Sequence, residues 1–174
     1  YEGPQPPLEG EVVVASRRGC DPNPLDPHDP EQRMQLVSSV WADQTERFRA
    51  LESAIEIERS EPRLVDRAGA NEWLPDRLRE RADGVLTVVY HTVMLPWMTH
   101  DDRKRLPELL AEAGEGATED APLAWLRMEP YAWPEPVPHQ VWLQRWPGGE
   151  DRMLARSGAH GRPVWWMSPS PYLR

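Results

Sequence analysis

Cysteine and lysine are almost missing from this sequence of 174 residues, and long apolar runs are missing altogether. Cys20 is the only cysteine, so the chain has no internal disulfide framework and no thiolate metal cluster. Lys104 is the only lysine among 20 basic residues, which are dispersed along the chain and outnumbered by 29 acidic residues. The resulting net charge of −9 argues against non-specific binding to nucleic acid or to an anionic membrane.

Targeting signals and familiar catalytic motifs are also missing. No apolar run approaches the length of a membrane span and no signal-peptide pattern is visible, so we expect a soluble cytoplasmic protein. No Gly-x-Ser-x-Gly elbow, Walker loop, His-Glu-x-x-His or Cys-x-x-Cys motif occurs, and no Gly-x-Gly turn joins a strand to a helix. We therefore expect no metal ion, and no single motif indicates which reaction the protein would catalyse.

Alternating strand and helix patterns predict an α/β fold. The apolar, β-branched run that begins at Leu86 is typical of a buried central strand, and Pro96 stops its continuation. The turn signal at 147–149 predicts an antiparallel hairpin close to the carboxyl terminus. We expect a mostly parallel sheet that ends in this hairpin. The predicted strands are 12–18, 64–65, 86–93, 123–129, 141–146, 152–156 and 163–167, and the predicted helices are 30–41, 43–59, 73–82 and 99–113.

Polar side chains follow two of the predicted strands. His91 and Thr92 come at the end of the strand that begins at Leu86, and Glu129 ends the next strand. Ligands collect at the carboxyl ends of parallel strands, so His91 is a candidate general base and Glu129 a candidate partner that orients the imidazole. The alternative is a histidine that is buried in the core with its hydrogen bonds satisfied. Residues 130–133 are a candidate lid or pocket wall.

A proline-rich loop from Cys20 to Asp29 carries three candidate ligand-binding side chains, Asp21, Asn23 and Asp26. Four prolines between positions 22 and 30 forbid a helix or a central strand here, so the segment is expected to be a rigid loop. The three polar side chains are predicted to face a cofactor or substrate. Alternatively they cap turns, as Asp and Asn commonly do. For Cys20 we favour a buried structural thiol over a nucleophile.

A second candidate cluster lies at the junction of the first two predicted helices. Trp41 offers a ring that could stack on a planar ligand, while Asp43 and Gln44 could donate or accept hydrogen bonds. The alternative places Trp41 in the core and Asp43 at a helix N-cap.

Several segments together resemble one family. The segments Gly19-Cys20-Asp21-Pro22-Asn23-Pro24-Leu25-Asp26 and Trp41-Ala42-Asp43-Gln44 look like the signature of the largely bacterial family called domain of unknown function 2332. Residues 86–93, 123–126, 146–149 and 160–161 fit the same family. The resemblance extends from about residue 12 to residue 166, so it covers nearly the whole chain.

The resemblance implies a three-layer, Rossmann-like sheet of the kind found in S-adenosylmethionine-dependent methyltransferases. It implies a single domain over 12–174, with residues 1–11 as a linker and the first strand unit upstream. S-adenosylmethionine is then the expected cofactor, held near Asp21 and His91 at the carboxyl ends of the strands. We expect a small-molecule enzyme related to these methyltransferases. A non-catalytic metabolite-binding module on the same scaffold stays open, and so does the oligomeric state.

Overall fold

The computed structural model describes residue 6 and residues 10–60, 65–130 and 139–167. Contacts divide the chain into two compact units. The smaller unit holds residues 14–73, and the larger unit holds the described residues from 74 onward together with those before Val14. Residues 131–133, predicted as a lid, and residue 64, predicted to begin a strand, lie outside the described residues.

The smaller unit contains a parallel pair of short strands and two helices. Strand β1 (Gly19–Asp21) pairs with β2 (Val65–Arg67), and helices α1 (Pro30–Ser38) and α2 (Thr45–Ser60) lie between them in the sequence. Helix α1 begins where the sequence predicts, because the Asp29 carboxylate accepts hydrogen bonds from two backbone N–H groups of the first turn. Proline at the first helical position reinforces this start.

The predicted strand at 12–18 is wrong. Residues 11–18 have no regular secondary structure, and the strand of this region is β1, which begins at Gly19. Val12 and Val13 are more than four-fifths exposed. Their β-branched side chains favour a strand, but β propensity depends on packing against neighbouring side chains. The exposed valines have no such packing to stabilise a strand.

The larger unit contains one five-stranded sheet with the order β3-β4-β5-β6-β7. Its first two strands are parallel and the other three pairings are antiparallel, so antiparallel pairing takes a larger share than the sequence predicts. The predicted hairpin is confirmed as β5 and β6. The strands are β3 (Thr87–Thr92), β4 (Leu123–Pro130), β5 (His139–Trp146), β6 (Glu150–Ser157) and β7 (Val164–Trp166).

Two further α-helices and two short 3₁₀ helices, Leu95–Trp97 and Ala159–Gly161, complete the described structure. Helix α3 comprises Ala70–Arg79, and helix α4 (His100–Glu115) lies between β3 and β4 in the sequence. Helix α4 begins after Thr99, whose side chain accepts a hydrogen bond from the backbone of Asp102. Its buried face carries leucines at spacings of three and four residues, and near its end Gly114 lies against the ring of Trp146. The buried leucines of α4 are Leu106, Leu109 and Leu110.

Strand β3 lies at the edge of the five-stranded sheet as described, not at its centre. Its burial alternates: Val88 is 45% exposed and Tyr90 74% exposed, whereas Val89 and His91 are less exposed. The apolar run therefore presents one covered and one open face, and the prediction of a fully buried strand is wrong. Overall the chain is a mixed α/β protein, as predicted, and a Rossmann-like methyltransferase arrangement stays a prediction.

Within the described residues, no helix combines the length and apolar character that a membrane crossing requires.

Candidate functional site

The carboxyl ends of β3 and β4 meet at one edge of the larger sheet. The two strands run parallel, with His91 beside Arg127 and Thr92 beside Met128. The chain then turns immediately, because the Val93 N–H donates to the Met128 carbonyl at 2.8 Å. Residues that leave these two strand ends are thereby brought within hydrogen-bonding reach of one another.

His91 and Glu129 form the centre of this edge. The Nδ1 atom of His91 lies 2.7 Å from Oε1 of Glu129. Both side chains are largely buried, at 7% and 12% exposure. The proximity that the sequence predicts is therefore present, while the function of the pair stays a prediction.

The turn after β3 supplies two more donors to the same carboxylate oxygen. The backbone N–H groups of Met94 and Leu95 point to Oε1 of Glu129 at 2.9 and 3.4 Å. This geometry depends on Val93, whose φ of +51° is rare for a β-branched residue. We call these three donors, the His91 ring and the two backbone N–H groups, the oxygen cradle. The other oxygen of Glu129, Oε2, is buried and has no hydrogen-bond partner among the described residues.

Trp125 completes the arrangement from the middle of β4. Its indole Nε1–H donates to Nε2 of His91 at 3.0 Å. An indole nitrogen can only donate, so Nε2 of His91 must be the acceptor and Nδ1 the protonated nitrogen that donates to Glu129. The hydrogen-bond network thus assigns the Nδ1–H tautomer, in which the lone pair of Nε2 is occupied by Trp125.

Sequence reasoning missed Trp125, although a signal existed. Alternate residues of a strand share a face, and Trp125 precedes Glu129 by four positions on β4. The register also sets Trp125 beside Val89, two residues before His91. The pattern therefore placed Trp125, His91 and Glu129 on one face, but only the pairing register could show which neighbour the indole meets.

Arg127 lies on the same face; its Nη2 atom is paired, whereas its Nη1 atom is buried and has no hydrogen-bond partner among the described residues. Its guanidinium carbon lies 4.3 Å from the ring centre of Trp125 and 5.6 Å from that of Trp142. Nη2 of Arg127 donates to Asp151 at 2.6 Å. Among the described residues, His91 is the only basic side chain within ion-pair distance of Glu129.

In the smaller unit, the predicted ligand-binding loop uses its polar side chains to form turns. Asp21 accepts a hydrogen bond from the backbone N–H of Asn23 at 2.7 Å, and Asp26 accepts one from that of His28 at 3.0 Å. These are the local bonds expected of the turn-capping alternative. The side-chain oxygen of Asn23 accepts a hydrogen bond from Arg67 at 3.0 Å.

Cys20 has the character of an unreactive thiol. Burial raises its pKa, and the neighbouring carboxylates of Asp21 and Asp66 raise it further. A higher pKa leaves less thiolate at neutral pH, and the thiolate is the nucleophilic form. This favours the structural role that we expected for Cys20.

The cluster at the helix junction is open to solvent. Trp41 is 76% exposed, so the alternative that places it in the core is wrong. Helix α2 begins at Thr45 and the Gln44 carbonyl accepts the N–H of Phe48, which puts Gln44 rather than Asp43 at the N-cap. The side-chain oxygen of Gln44 accepts a hydrogen bond from Arg47 at 2.6 Å. Binding of a cofactor by Trp41, Asp43 and Gln44 stays a prediction.

A surface cleft of about 560 Å³ lies elsewhere in the larger unit, and none of the strand-end residues lines it. Leucines of α3 and α4 form part of its wall. Arg81, which also lines it, donates to the carbonyl of Ala113 at 2.7 Å, near the end of α4. Arg105 is paired with Glu112, an exposed partner on the same helix. We assign no ligand to this cleft, because both arginines already form hydrogen bonds with residues of α4.

Comparison with known proteins identifies the family. A family profile described as "Uncharacterized protein conserved in bacteria (DUF2332)" matches residues 1–166. No curated protein and no solved structure matches the chain. Because the match covers nearly the whole sequence, the chain belongs to this bacterial family, domain of unknown function 2332.

Proposed function

We propose that the protein is a small-molecule enzyme related to S-adenosylmethionine-dependent methyltransferases, with its ligand at the carboxyl ends of β3 and β4. The observation that carries the proposal is the buried pair of His91 and Glu129 where two neighbouring parallel strands end. Ligands of α/β proteins gather at such strand ends, and buried polar groups there are candidates for binding or catalysis.

The donor and acceptor chemistry of this edge is compatible with S-adenosylmethionine. The cofactor carries an ammonium group and hydroxyl groups, which are the donors that a carboxylate such as Glu129 accepts. When bound, the cofactor would supply an electrophilic methyl group. The chain's own residues would hold and orient it, with His91 fixing the carboxylate through the 2.7 Å hydrogen bond.

A second candidate function is a metabolite-binding module without catalysis. The observation in its favour is the hydrogen bond from Trp125 to Nε2 of His91. A general base needs a free lone pair that reaches the proton it removes, and this lone pair is occupied. If this second function is correct, a ligand binds at the same edge of the sheet and His91 transfers no proton.

Calorimetric titration of S-adenosylmethionine and S-adenosylhomocysteine into the 174-residue chain tests the proposal. We expect His91→Ala to weaken binding about tenfold, because the Glu129 carboxylate that holds the ligand loses its hydrogen bond from Nδ1 of His91. A hydrogen bond to a charged group contributes about 1.5 kcal/mol. The matched control is His100→Ala, because His100 lies on α4 with an exposed side chain. The control variant should bind like the parent chain.

Three results separate the two functions. Binding followed by transfer of a labelled methyl group to a small molecule supports the enzyme. Binding without transfer supports the module. If the chain is folded and calorimetric titration shows that it binds neither compound, the relation to methyltransferases is contradicted.

A further inference from the structure

We infer that Oε2 of Glu129 is the atom that meets the ligand, that the ligand presents an ammonium or hydroxyl donor to it, and that His91 and Trp125 are positioning residues. The inference deepens the proposed function, on which it rests for the location of the ligand. It assigns separate tasks to side chains that sequence reasoning treated as one acid–base pair.

The two oxygens of Glu129 are used very unequally. Oε1 receives all three donors of the oxygen cradle, at 2.7, 2.9 and 3.4 Å. Oε2 is buried and receives no hydrogen bond from any residue that the structure describes. An ionised carboxylate can accept about four hydrogen bonds, and buried polar atoms in folded proteins are rarely left without a partner. Oε2 is therefore the free acceptor of this edge.

The electrostatics of the edge favour a cationic donor. The nearest arginine on the same strand, Arg127, donates to Asp151 and stacks on Trp125. Among the described residues, no arginine or lysine forms an ion pair with Glu129. A buried carboxylate is stabilised by an opposite charge, so an ammonium group suits Oε2 better than a second acceptor would.

His91 and Trp125 hold the carboxylate and do not face the ligand themselves. Both ring nitrogens of His91 are engaged, Nδ1 with Glu129 and Nε2 with Trp125. Trp125 is only 5% exposed, so its indole is fixed in the sheet and in turn fixes the histidine ring. The chain of hydrogen bonds from Trp125 through His91 sets the direction of Glu129.

The first test compares two substitutions of Glu129 in the complete chain by thermal unfolding. Glu129→Gln keeps an oxygen for the cradle and removes the charge at Oε2, whereas Glu129→Ala leaves the cradle donors without an acceptor. We expect Glu129→Gln to unfold at the parent's temperature or above it, and Glu129→Ala to unfold at a lower one. A Glu129→Gln variant as unstable as Glu129→Ala would overturn the inference, because the negative charge of Glu129 would then stabilise the folded chain itself.

The second test addresses the ligand class. Ethylammonium and acetate, which are similar in size and opposite in charge, are titrated while the indole N–H resonance of Trp125 is followed by NMR. We expect ethylammonium to shift this resonance in the parent chain and not in Glu129→Gln, and acetate to shift it in neither. No response to ethylammonium, or an equal response to acetate, would overturn the assignment of a donor ligand.

The positioning role of Trp125 has its own readout. In Trp125→Phe the Nε2 atom of His91 loses its donor, so its ¹⁵N resonance should move and the response of the protein to ethylammonium should weaken. A moved resonance with an unchanged response would contradict the positioning role, and so would an unmoved resonance.

These outcomes are independent of the proposed cofactor. If S-adenosylhomocysteine does not bind and ethylammonium does, the relation to methyltransferases fails and the present inference stands. If S-adenosylhomocysteine binds the parent and Glu129→Gln equally well, the relation to methyltransferases stands and the assignment of Oε2 fails.

Discussion

Gly114 of helix α4 lies against the ring of Trp146 on β5, and replacing it by alanine tests this packing. A Cβ atom at Gly114 would lie 2.5 Å from three ring atoms of Trp146. Trp146 is itself buried, with 8% of its surface exposed. The ring cannot move away without disturbing the end of β5, where Trp146 pairs with Leu123.

Two opposing effects set the magnitude. Alanine in place of glycine stabilises a helix by at most about 1 kcal/mol. Overpacking of a well-filled core costs about 1–3 kcal/mol, and contact with three ring atoms at 2.5 Å places Gly114→Ala in the upper half of that range. The net effect is a loss of about 1–2 kcal/mol, which lowers the melting temperature by roughly 2–8 °C for a chain of this size.

The assay is thermal and urea unfolding of Gly114→Ala, Trp146→Leu and the double variant. Removing the large ring should abolish the cost of the alanine, so the two substitutions should show a coupling energy of about 1–3 kcal/mol. Gly19→Ala is the control, because the nearest atom to its added Cβ would be 3.9 Å away. An increase in stability on Gly114→Ala alone would refute the packing of α4 described above.

Two further predictions concern titratable groups of the smaller unit. The backbone N–H groups of Gln32 and Glu31 hold the pKa of Asp29 below its ordinary value, so its contribution to stability is present above the unfolded-state pKa and is lost as the pH falls through the folded-state pKa. Asp29→Asn retains the cap without the titration, so its melting temperature should fall less between neutral and acidic pH; an equal fall in parent and variant would contradict this. Burial, reinforced by nearby carboxylates, raises the pKa of Cys20, so iodoacetamide should alkylate it more slowly in the folded chain than in urea. Equal rates in the two states would show that the thiol is unprotected.

Much of the secondary structure was predictable because local signals and burial agree there. Helix α4 has Thr99 as its cap and leucines at helical spacing, and the observed helix matches the predicted 99–113 closely. The hairpin of β5 and β6 follows from the turn residues between Trp146 and Glu150. In both cases the amino acids that start, fill and end the element all favour the same structure.

The errors arose where pairing partners decide the outcome. The valines at 12–14 favour a strand locally, but they are exposed and no strand forms there. The run from Leu86 has the composition of a central strand, but β3 pairs with one strand among the described residues and exposes Tyr90. Composition reports the preference of a strand, and its neighbours determine how many of its faces are covered.

The candidate site was predictable in part. His91 and Glu129 could be paired from sequence because both follow strands expected to be parallel neighbours. Their roles could not be predicted, because Val93 turns the chain with an unusual positive φ and Trp125 occupies the second ring nitrogen of His91. Both facts depend on register and backbone conformation, which single residues do not specify.

The hydrogen-bond network of Trp125, His91 and Glu129 is tested most directly by observing which ring nitrogen of His91 carries the proton. Long-range ¹H–¹⁵N NMR in mildly alkaline buffer shows this. We predict a proton on Nδ1 and none on Nε2, because Glu129 accepts from the first nitrogen and Trp125 donates to the second. His91→Gln identifies the signal by its disappearance. A proton on Nε2 would contradict the network on which the site, the role of Glu129 and the ligand class all depend.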